Sequence, residues 1–253
     1  MFKSFSRHAF HVLIIVLLTA LTQLGGIAWL LSRFLRRKIL GFFALYIAFS
    51  VASLWVAPLG GRVAISCASD SHLQVQSWFY CITNRTYVQP ELADVLEDAA
   101  AAVEAAYPGT ETLMLDGSLP FIDGFPLLPH LSHDDGKKAD LVFYYRDGKD
   151  GYLRGRTKSP IGFFAFEDGP TDCLAQWPTL RWDMGWLQPY WPSWEIDEAR
   201  TAKLIEVLAA DSRVGKILLE PHLKDRLKLD HPKIRFQGCR AARHDDHIHI
   251  QLQ

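Results

Sequence analysis

The stretch Arg243-His244-Asp245-Asp246-His247-Ile248-His249-Ile250-Gln251-Leu252 decides how this sequence folds. From position 247 onward, polar and apolar residues alternate, which is the period of a half-buried β-strand. Such a strand carries His247 and His249 on one face, about 7 Å apart, and its apolar residues on the other. Because neutral imidazole is the commonest protein metal ligand, the pair indicates a zinc site, with a solvated histidine-rich tail as the alternative.

A second histidine cluster lies upstream, in the segment 129–140. An apolar run, 141–145, follows this segment and predicts a strand with Asp140 at its mouth and His133 in the loop before it. A loop histidine and a carboxylate at a strand edge can meet at one ion. Three protein ligands and one open position are typical of catalytic zinc, and the absence of a Cys-x-x-Cys pair argues against a structural thiolate site.

The two clusters together form a longer pattern, His130-x-x-His133-x-x-Gly136-x-x-x-Asp140 followed by His244-x-x-His247-x-His249. This pattern resembles the penicillin-insensitive murein endopeptidases, which belong with lysostaphin, the D-Ala-D-Ala carboxypeptidases and the hedgehog fold. The resemblance covers roughly residues 108–252. Members of that family are typically exported as soluble enzymes, whereas this chain carries two apolar segments before the domain.

The resemblance implies a role for each motif residue. His133, Asp140 and His249 would hold one Zn²⁺ per chain. His247 would be a catalytic histidine that is not a ligand, His244 the other candidate for the catalytic base, and His130 a residue that lines the site.

The rest of the domain mixes helices and strands without regular alternation, which predicts an α+β fold with helices on one face of an antiparallel sheet. The resemblance would make this fold similar to that of hedgehog and the D-Ala-D-Ala peptidases. Hydrophobic spacing predicts two amphipathic helices, at 91–106 and at 197–210 with Asp197 as the N-cap. Shorter elements are predicted as strands at 112–115, 161–166 and 216–219 and a helix at 221–227.

Two charge-free stretches, 12–32 and 39–61, are each long enough to cross about 30 Å of hydrocarbon as a helix. They predict a membrane anchor, 1–61, with two transmembrane helices at about 10–32 and 39–59, although a buried core helix or a signal peptide gives a similar pattern. The loop between them carries four cationic residues and should stay in the cytoplasm. The domain 62–253 would then lie on the periplasmic side of the inner (cytoplasmic) membrane, whose lipid is one expected partner.

Charge and cysteine usage agree with that location. Residues 62–253 carry the remaining 21 Lys/Arg against all 28 Asp/Glu, a net charge of −7, which argues against a nucleic-acid partner. All four cysteines, Cys67, Cys81, Cys173 and Cys239, fall in this part. An oxidising compartment favours Cys67–Cys81, which closes a short loop, with Cys173–Cys239 as the second disulfide; other pairings or four buried thiols are alternatives.

Two further groups of residues are candidates for supporting roles. The segment 176–194 is rich in tryptophan and could form a substrate-binding wall, a packed loop or an interfacial patch; Arg181 and Asp183 within it could orient a substrate carboxylate or a ligand histidine. Four carboxylates beside the histidines could fix imidazole tautomers or could be solvated. These are Asp134, Asp135, Asp245 and Asp246.

The function that follows from the resemblance is a membrane-anchored zinc endopeptidase acting on the cross-link peptides of peptidoglycan, at a D-Ala–diaminopimelate bond. Three alternatives stay open: hydrolysis of another amide bond, a non-catalytic zinc-containing binding module at the cell surface, and a paired His-Asp phosphohydrolase. A purely structural site does not need the non-ligand His247, which favours the enzyme. Phosphohydrolase sites of that type are built on helices, whereas 247–252 reads as a strand.

Overall fold

A computed structural model describes residues 2–68, 70–148, 151–173, 181 and 184–253 of the chain. The N-terminal part is helical and consists of α1 (Phe2–Thr22), α2 (Gly25–Ser32), α3 (Lys38–Val56) and a 3-10 turn, Ala57–Gly60. The first transmembrane helix predicted from the sequence, 10–32, is therefore divided in two. The break lies at Gln23, whose φ of 58° falls in the left-handed region and interrupts the helix.

After this break, α2 folds back against α1. A Cβ atom added to Gly26 would lie 1.9 Å from Thr19 Oγ1 and 2.7 Å from the Ile15 carbonyl oxygen, so only glycine permits this approach. Among the described residues, one helix is long and apolar enough to cross a membrane, namely Lys38–Gly60 with a mean hydropathy of 2.1. It matches the second predicted span, whereas α1 contributes only the shorter apolar stretch Arg7–Thr22.

In its described residues, the domain that follows contains three sheets. Their strands are β1 (Val63–Ala64), β2 (Leu73–Val75), β3 (Tyr87–Val88), β4 (Thr112–Met114), β5 (Lys138–Val142), β6 (Tyr145–Asp147), β7 (Gly151–Tyr152), β8 (Glu195–Ile196), β9 (Val214–Leu218), β10 (Ile234–Arg235) and β11 (His247–Leu252). The main sheet has the order β10-β9-β11-β5-β4-β2. Its two outer pairs, β10–β9 and β2–β4, are parallel and its inner pairs antiparallel, so the sheet is mixed rather than antiparallel as predicted.

Within the part of the chain that the structure describes, four α-helices accompany these sheets: α4 (Trp78–Ile82), α5 (Pro90–Ala106), α6 (Glu198–Ala210) and α7 (Pro221–Arg226). The structure confirms the two predicted amphipathic helices as α5 and α6. Asp197 caps α6 as predicted, because its side chain accepts a hydrogen bond from the Arg200 backbone N–H at 3.2 Å. The apolar faces of α5 and α6 share one buried core with Ile248, Ile250 and Leu252 of β11.

Two sequence expectations about strands are wrong. The segment 161–166 is not a strand, because Gly162 and Phe164 have φ values of 74° and 67°, which no β-ladder accommodates. The run 141–145 is divided between β5 and β6, which belong to different sheets. Asp140 consequently lies inside β5 and not at its mouth.

The structure confirms the favoured disulfides, Cys67–Cys81 and Cys173–Cys239. The first joins the loop after β1 to α4. The second joins Cys173 to Cys239, which lies in the loop between β10 and β11. Both lie in the domain, as an oxidising environment would allow.

Candidate metal centre

The centre is built on β11, which lies in the middle of the main sheet between β5 and β9. Alternation along the strand places Ile248 and Ile250, both fully buried, in the core with α5 and α6. The opposite face carries His247 and His249. In the β11–β5 register His249 lies directly opposite Asp140, so the imidazole and the carboxylate are cross-strand neighbours on the same face.

His133 reaches this face from the long loop between β4 and β5. Its Nδ1–H donates a hydrogen bond to the Gly117 carbonyl oxygen at 2.8 Å, which fixes the ring and leaves Nε2 as the atom directed at the strand pair. A side chain at position 117 would interfere, because a Cβ there would lie 2.8 Å from the Tyr87 carbonyl oxygen. The glycine therefore lets the loop pass close enough to deliver His133.

The three side chains meet at one point. His133 Nε2 lies 3.3 Å from Asp140 Oδ1 and 3.1 Å from His249 Nδ1, and the latter two atoms are 2.9 Å apart. Their side chains are only 1%, 1% and 6% exposed. Two imidazole nitrogens and a carboxylate oxygen crowded this closely, out of water, are compatible with one bound metal ion.

His130 offers a second way to complete the set. One ligand atom from each of His130, His133 and Asp140 lies within 4.8 Å of the others. However, His130 Nδ1 is 3.0 Å from an oxygen of Asp116 as well as 3.0 Å from Asp140 Oδ2, so two carboxylates share this nitrogen. The triangle with His249 is tighter, and the choice of His249 over His130 as third ligand stays a prediction.

Asp116 and Arg85 complete the site, and sequence reasoning missed both. The fully buried Asp116 receives two hydrogen bonds from the Arg85 guanidinium, at 2.6 and 2.7 Å. Arg85 also donates to the Leu128 carbonyl oxygen at 2.7 Å and so holds the chain next to His130. In the sequence Asp116 indicates only a turn with Gly117, and nothing in the pattern around Arg85 indicates its role.

His247 is held by its neighbour on the chain. Its Nδ1 lies 2.5 Å from Asp246 Oδ1, while its Nε2 lies 3.7 Å from Asp140 Oδ1 at the centre. Asp246 is itself fixed, because its second oxygen accepts the Phe164 backbone N–H at 2.7 Å. This carboxylate, one of the four candidates named above, therefore orients an imidazole toward the centre.

The other three candidate carboxylates have partners that are not histidines. Asp245 pairs with Arg243, with 2.5 Å between the guanidinium and the carboxylate. Asp134 and Asp135 both face the Lys138 ammonium group, at 3.6 and 2.7 Å. These contacts hold the loops around the site and do not touch its imidazoles.

His244 lies at the inner side of the cluster, with its ring centroid 5.1 Å from that of His247 and 5.6 Å from that of His249. Its Nδ1 is buried and has no hydrogen-bond partner among the described residues. The backbone of this segment is fixed by Glu220, whose Oε1 accepts the His244 N–H at 3.3 Å and whose carboxylate pairs with Arg181 at 2.7 and 2.9 Å. Arg181 therefore supports the main chain near the site, and Asp183 lies outside the described residues.

Burial and charge separate the histidines into two kinds. Burial lowers the pKa of His130, but the carboxylates of Asp140 and Asp116 raise it to about 10. Burial acts to lower the pKa of His247, but the charges of Asp140 and Asp246 outweigh this effect, so the pKa is raised. Burial opposes ionisation of Asp140, yet the surrounding imidazoles hold its pKa well below the usual range.

Two further histidines, His244 and His249, have lowered pKa values. Burial lowers the pKa of His249 to about 4, although Asp140 acts in the opposite direction. Burial, together with the charges of His247 and His249, lowers the pKa of His244 well below its ordinary value. Neutral imidazoles keep a lone pair, which is the state that a metal ligand or a proton acceptor needs.

A small open cleft of about 50 Å³ lies next to His247 and His130. Its walls are Phe163, Phe164, Phe166, Ala242, Arg243 and Asp246. The Arg243 guanidinium stacks 4.0 Å from the centroid of the Phe166 ring. The segment that sequence analysis assigned to a strand, 161–166, thus supplies the aromatic wall.

In its described residues, the tryptophan-rich segment is partly a packed loop, one of the three roles that the sequence left open. Trp191 Nε1–H donates to the Phe164 carbonyl oxygen at 2.9 Å and so supports the cleft from behind. Trp194 packs against the core, while Trp186 and Tyr190 are exposed. Trp177 and Trp182 lie outside the described residues.

Comparison with known proteins assigns no family to the chain. A scan against models of protein families finds no match for the chain, and a search of curated proteins finds no relative. The likeness to murein endopeptidases therefore rests on the motif residues.

Proposed function

We propose that the protein is a zinc metalloendopeptidase that cleaves cross-link peptides of peptidoglycan. The observation that carries the proposal is the buried triangle of His133 Nε2, Asp140 Oδ1 and His249 Nδ1, with edges of 2.9 to 3.3 Å. A tetrahedral ion with bonds of about 2.0–2.1 Å to nitrogen and oxygen has edges of roughly 3.3 Å between its ligands. The triangle is thus close to the size that zinc requires, and its donor atoms are ones that zinc prefers.

The support behind the ligands also fits a metal site. Metal-bound histidines usually donate the second ring N–H to a carbonyl or carboxylate, as His133 does to Gly117. When bound, zinc supplies a Lewis acid that activates water and polarises a carbonyl group. With three protein ligands, one coordination position stays available for this chemistry.

The two histidines His247 and His244 have different roles in the proposed reaction. His247 has a raised pKa and places Nε2 3.7 Å from Asp140 Oδ1; when protonated there, it can stabilise the negative charge that develops on the scissile carbonyl oxygen. His244 has a lowered pKa, which favours the neutral imidazole, and this form can take up a proton from the attacking water and pass it to the leaving amine. Asp246 keeps the His247 ring in its orientation throughout.

The choice of substrate rests on the resemblance of the two motifs to murein endopeptidases. The aromatic cleft beside His247 is compatible with an extended peptide, since its walls offer apolar contact and one guanidinium. The exact bond, D-Ala–diaminopimelate, is part of the same proposal.

We further propose that α3 anchors the domain in the inner membrane, with the domain on the periplasmic side. The apolar helix Lys38–Gly60 has 23 residues. At about 1.5 Å per residue such a helix is roughly 35 Å long, enough for about 30 Å of hydrocarbon. The two disulfides suit an oxidising compartment, and the cationic residues Arg33, Arg36, Arg37 and Lys38 suit the cytoplasmic end of α3. In place of the first predicted span, α1 and α2 form a helical hairpin packed beside α3.

The full-length protein, purified in detergent, should release muropeptides from purified sacculi, and chelation should stop the release. His133→Ala and His249→Ala should abolish release, while the exposed His72, replaced by alanine, provides a matched control that keeps it. Retained activity in both site variants would refute the endopeptidase. Bound zinc without any release would instead favour the binding module.

A further inference from the structure

One side of the domain is rich in exposed apolar side chains and adjacent to α3. Helix α4 exposes Trp78, Phe79 and Ile82, at 67%, 46% and 61% of their surface. The loop between β4 and β5 exposes Phe121, Ile122 and Leu128. We call these six side chains the apolar rim.

The rim lies beside the middle of α3 and not at its end. Tyr46 Oη–H donates to the Ile82 carbonyl oxygen at 2.6 Å, and Asn84 donates to Tyr46 and to Ser50 at 3.0 and 3.2 Å. One helical turn further, Ser53 Oγ lies 2.6 Å from Tyr87 Oη. At about 1.5 Å per residue, Tyr46 is roughly 12 Å from the first residue of the helix and about 21 Å from Gly60.

The loop residues of the rim are also bound to the N-terminal helices. The Phe121 backbone N–H donates to Gln23 Oε1 at 3.0 Å, at the break between α1 and α2. Trp29 of α2 packs against Phe42 of α3, and the Phe42 ring stacks on Tyr46, with ring centroids 5.5 and 5.9 Å apart. The two parts of the rim thus flank the same point of the N-terminal helices.

Charge distinguishes the rim from the rest of the domain. Residues 71–84, 117–122 and 125–132 contain no Asp, Glu, Lys or Arg, although residues 62–253 have a net charge of −7. The carboxylate between the two loop segments, Asp123, is exposed and paired with the Arg62 guanidinium. The adjoining face of α3 exposes Phe43, Ile47 and Leu54. Soluble surfaces rarely keep apolar patches of this extent without a partner, and aromatic side chains are enriched where proteins enter the membrane interface.

We propose that the apolar rim is immersed in the lipid bilayer, so that the domain is partly sunk into the membrane beside its own anchor. This inference rests on the proposed anchoring by α3: if the middle of α3 lies in lipid, the α4 side chains bound to that level lie there too. The hydrogen bonds from Tyr46, Ser50 and Ser53 to the domain satisfy polar groups that would otherwise meet hydrocarbon.

The rim also connects to the metal centre. The Arg85 guanidinium lies 6.0 Å from the Phe79 ring centroid, donates to the Leu128 carbonyl oxygen and holds Asp116, which contacts His130. Two buried residues, Arg85 and Asp116, therefore connect the rim to the histidine cluster. A site in this position would act on peptides held close to the lipid surface.

Photocrosslinking of the full-length protein in vesicles of phosphatidylethanolamine and phosphatidylglycerol tests the proposal. The photoreactive p-benzoylphenylalanine is placed at Phe79, at Phe43 on α3, and at Phe236, an exposed phenylalanine after β10 at the opposite edge of the sheet from β2. Mass spectrometry should find lipid adducts at positions 43 and 79 and none at position 236. Formation of both disulfides and the zinc content show that each variant is folded, and position 82 replaces 79 if that variant is not.

The three positions separate the outcomes. Adducts at 43 without adducts at 79 or 82 overturn the immersion and leave the anchor intact. Adducts at none of them overturn the anchor and the immersion together. Adducts at 236 as frequent as those at 79 also overturn the proposal, since the contact is then not confined to the rim. Peptidase activity is measured separately with His133→Ala, so its failure is not confused with failure of the rim.

Discussion

Replacement of His249 by alanine should weaken zinc binding far more than replacement of any neighbouring histidine. In zinc-finger peptides four ligands together contribute about 10–16 kcal/mol, or roughly 2.5–4 kcal/mol for each ligand. The His249 side chain is buried opposite Asp140, where neither another residue nor bulk water can easily replace it. We therefore expect the zinc affinity of His249→Ala to fall about 10²- to 10³-fold, since each 1.4 kcal/mol is about one factor of ten.

The dissociation constant is measured by competition with a chromophoric chelator at neutral pH, using the full-length protein in detergent. His130→Ala is the decisive control, because His130 is the alternative third ligand beside His133 and Asp140. Because His130 is assigned as a lining residue, its replacement should lower the zinc affinity only about tenfold to 100-fold, the usual effect of residues that support ligands. A larger loss in His130→Ala than in His249→Ala would refute the assigned ligand set.

Three other changes test the supports of the site. Asp246→Asn should leave zinc bound but lower kcat about 10- to 100-fold, because the imidazole it holds loses its fixed orientation; metal content and muropeptide release, measured on the same sample, separate the two effects. Arg85→Met leaves the Asp116 carboxylate buried without its partner and should reduce the free energy of unfolding by about 3–5 kcal/mol in urea titrations, whereas a change under about 1 kcal/mol would contradict a buried ion pair. Replacing Cys173 and Cys239 by serine opens a loop with a sequence separation of 66 residues, and the chain-entropy relation gives a destabilisation of about 4 kcal/mol, which calorimetry of the variant should detect as a lower Tm.

The local pattern of the sequence was sufficient for β11, α5 and α6. In each of these elements one face packs against the core, so the hydrophobic period directly reports the secondary structure. The same alternation correctly separated the face with His247 and His249 from the face with Ile248 and Ile250.

Features that depend on partners distant in sequence could not be predicted from the local pattern. Asp116 becomes part of the site only because Arg85, from another part of the chain, binds it. Asp140 was expected at a strand edge, since its place inside β5 is set by pairing with β11 and not by its neighbours in sequence. Similarly, an uncharged apolar stretch predicts one long helix, and the break at Gln23 follows from a backbone conformation that hydropathy does not report.

The connection between α3 and the domain is short and fixed. Only the turn Ala57–Gly60, Gly61 and Arg62 lie between α3 and β1, and the Arg62 guanidinium is buried against Ser118 Oγ at 3.1 Å. A flexible linker of six residues would have an end-to-end distance of roughly 12–15 Å and would leave the domain mobile, whereas the connection through Arg62 holds the domain against α3. With α3 in a bilayer, the metal centre would diffuse laterally at a constant height, and its search for substrate would be two-dimensional. Bonds deeper in a thick polymer would be out of its reach until that material came down to the membrane.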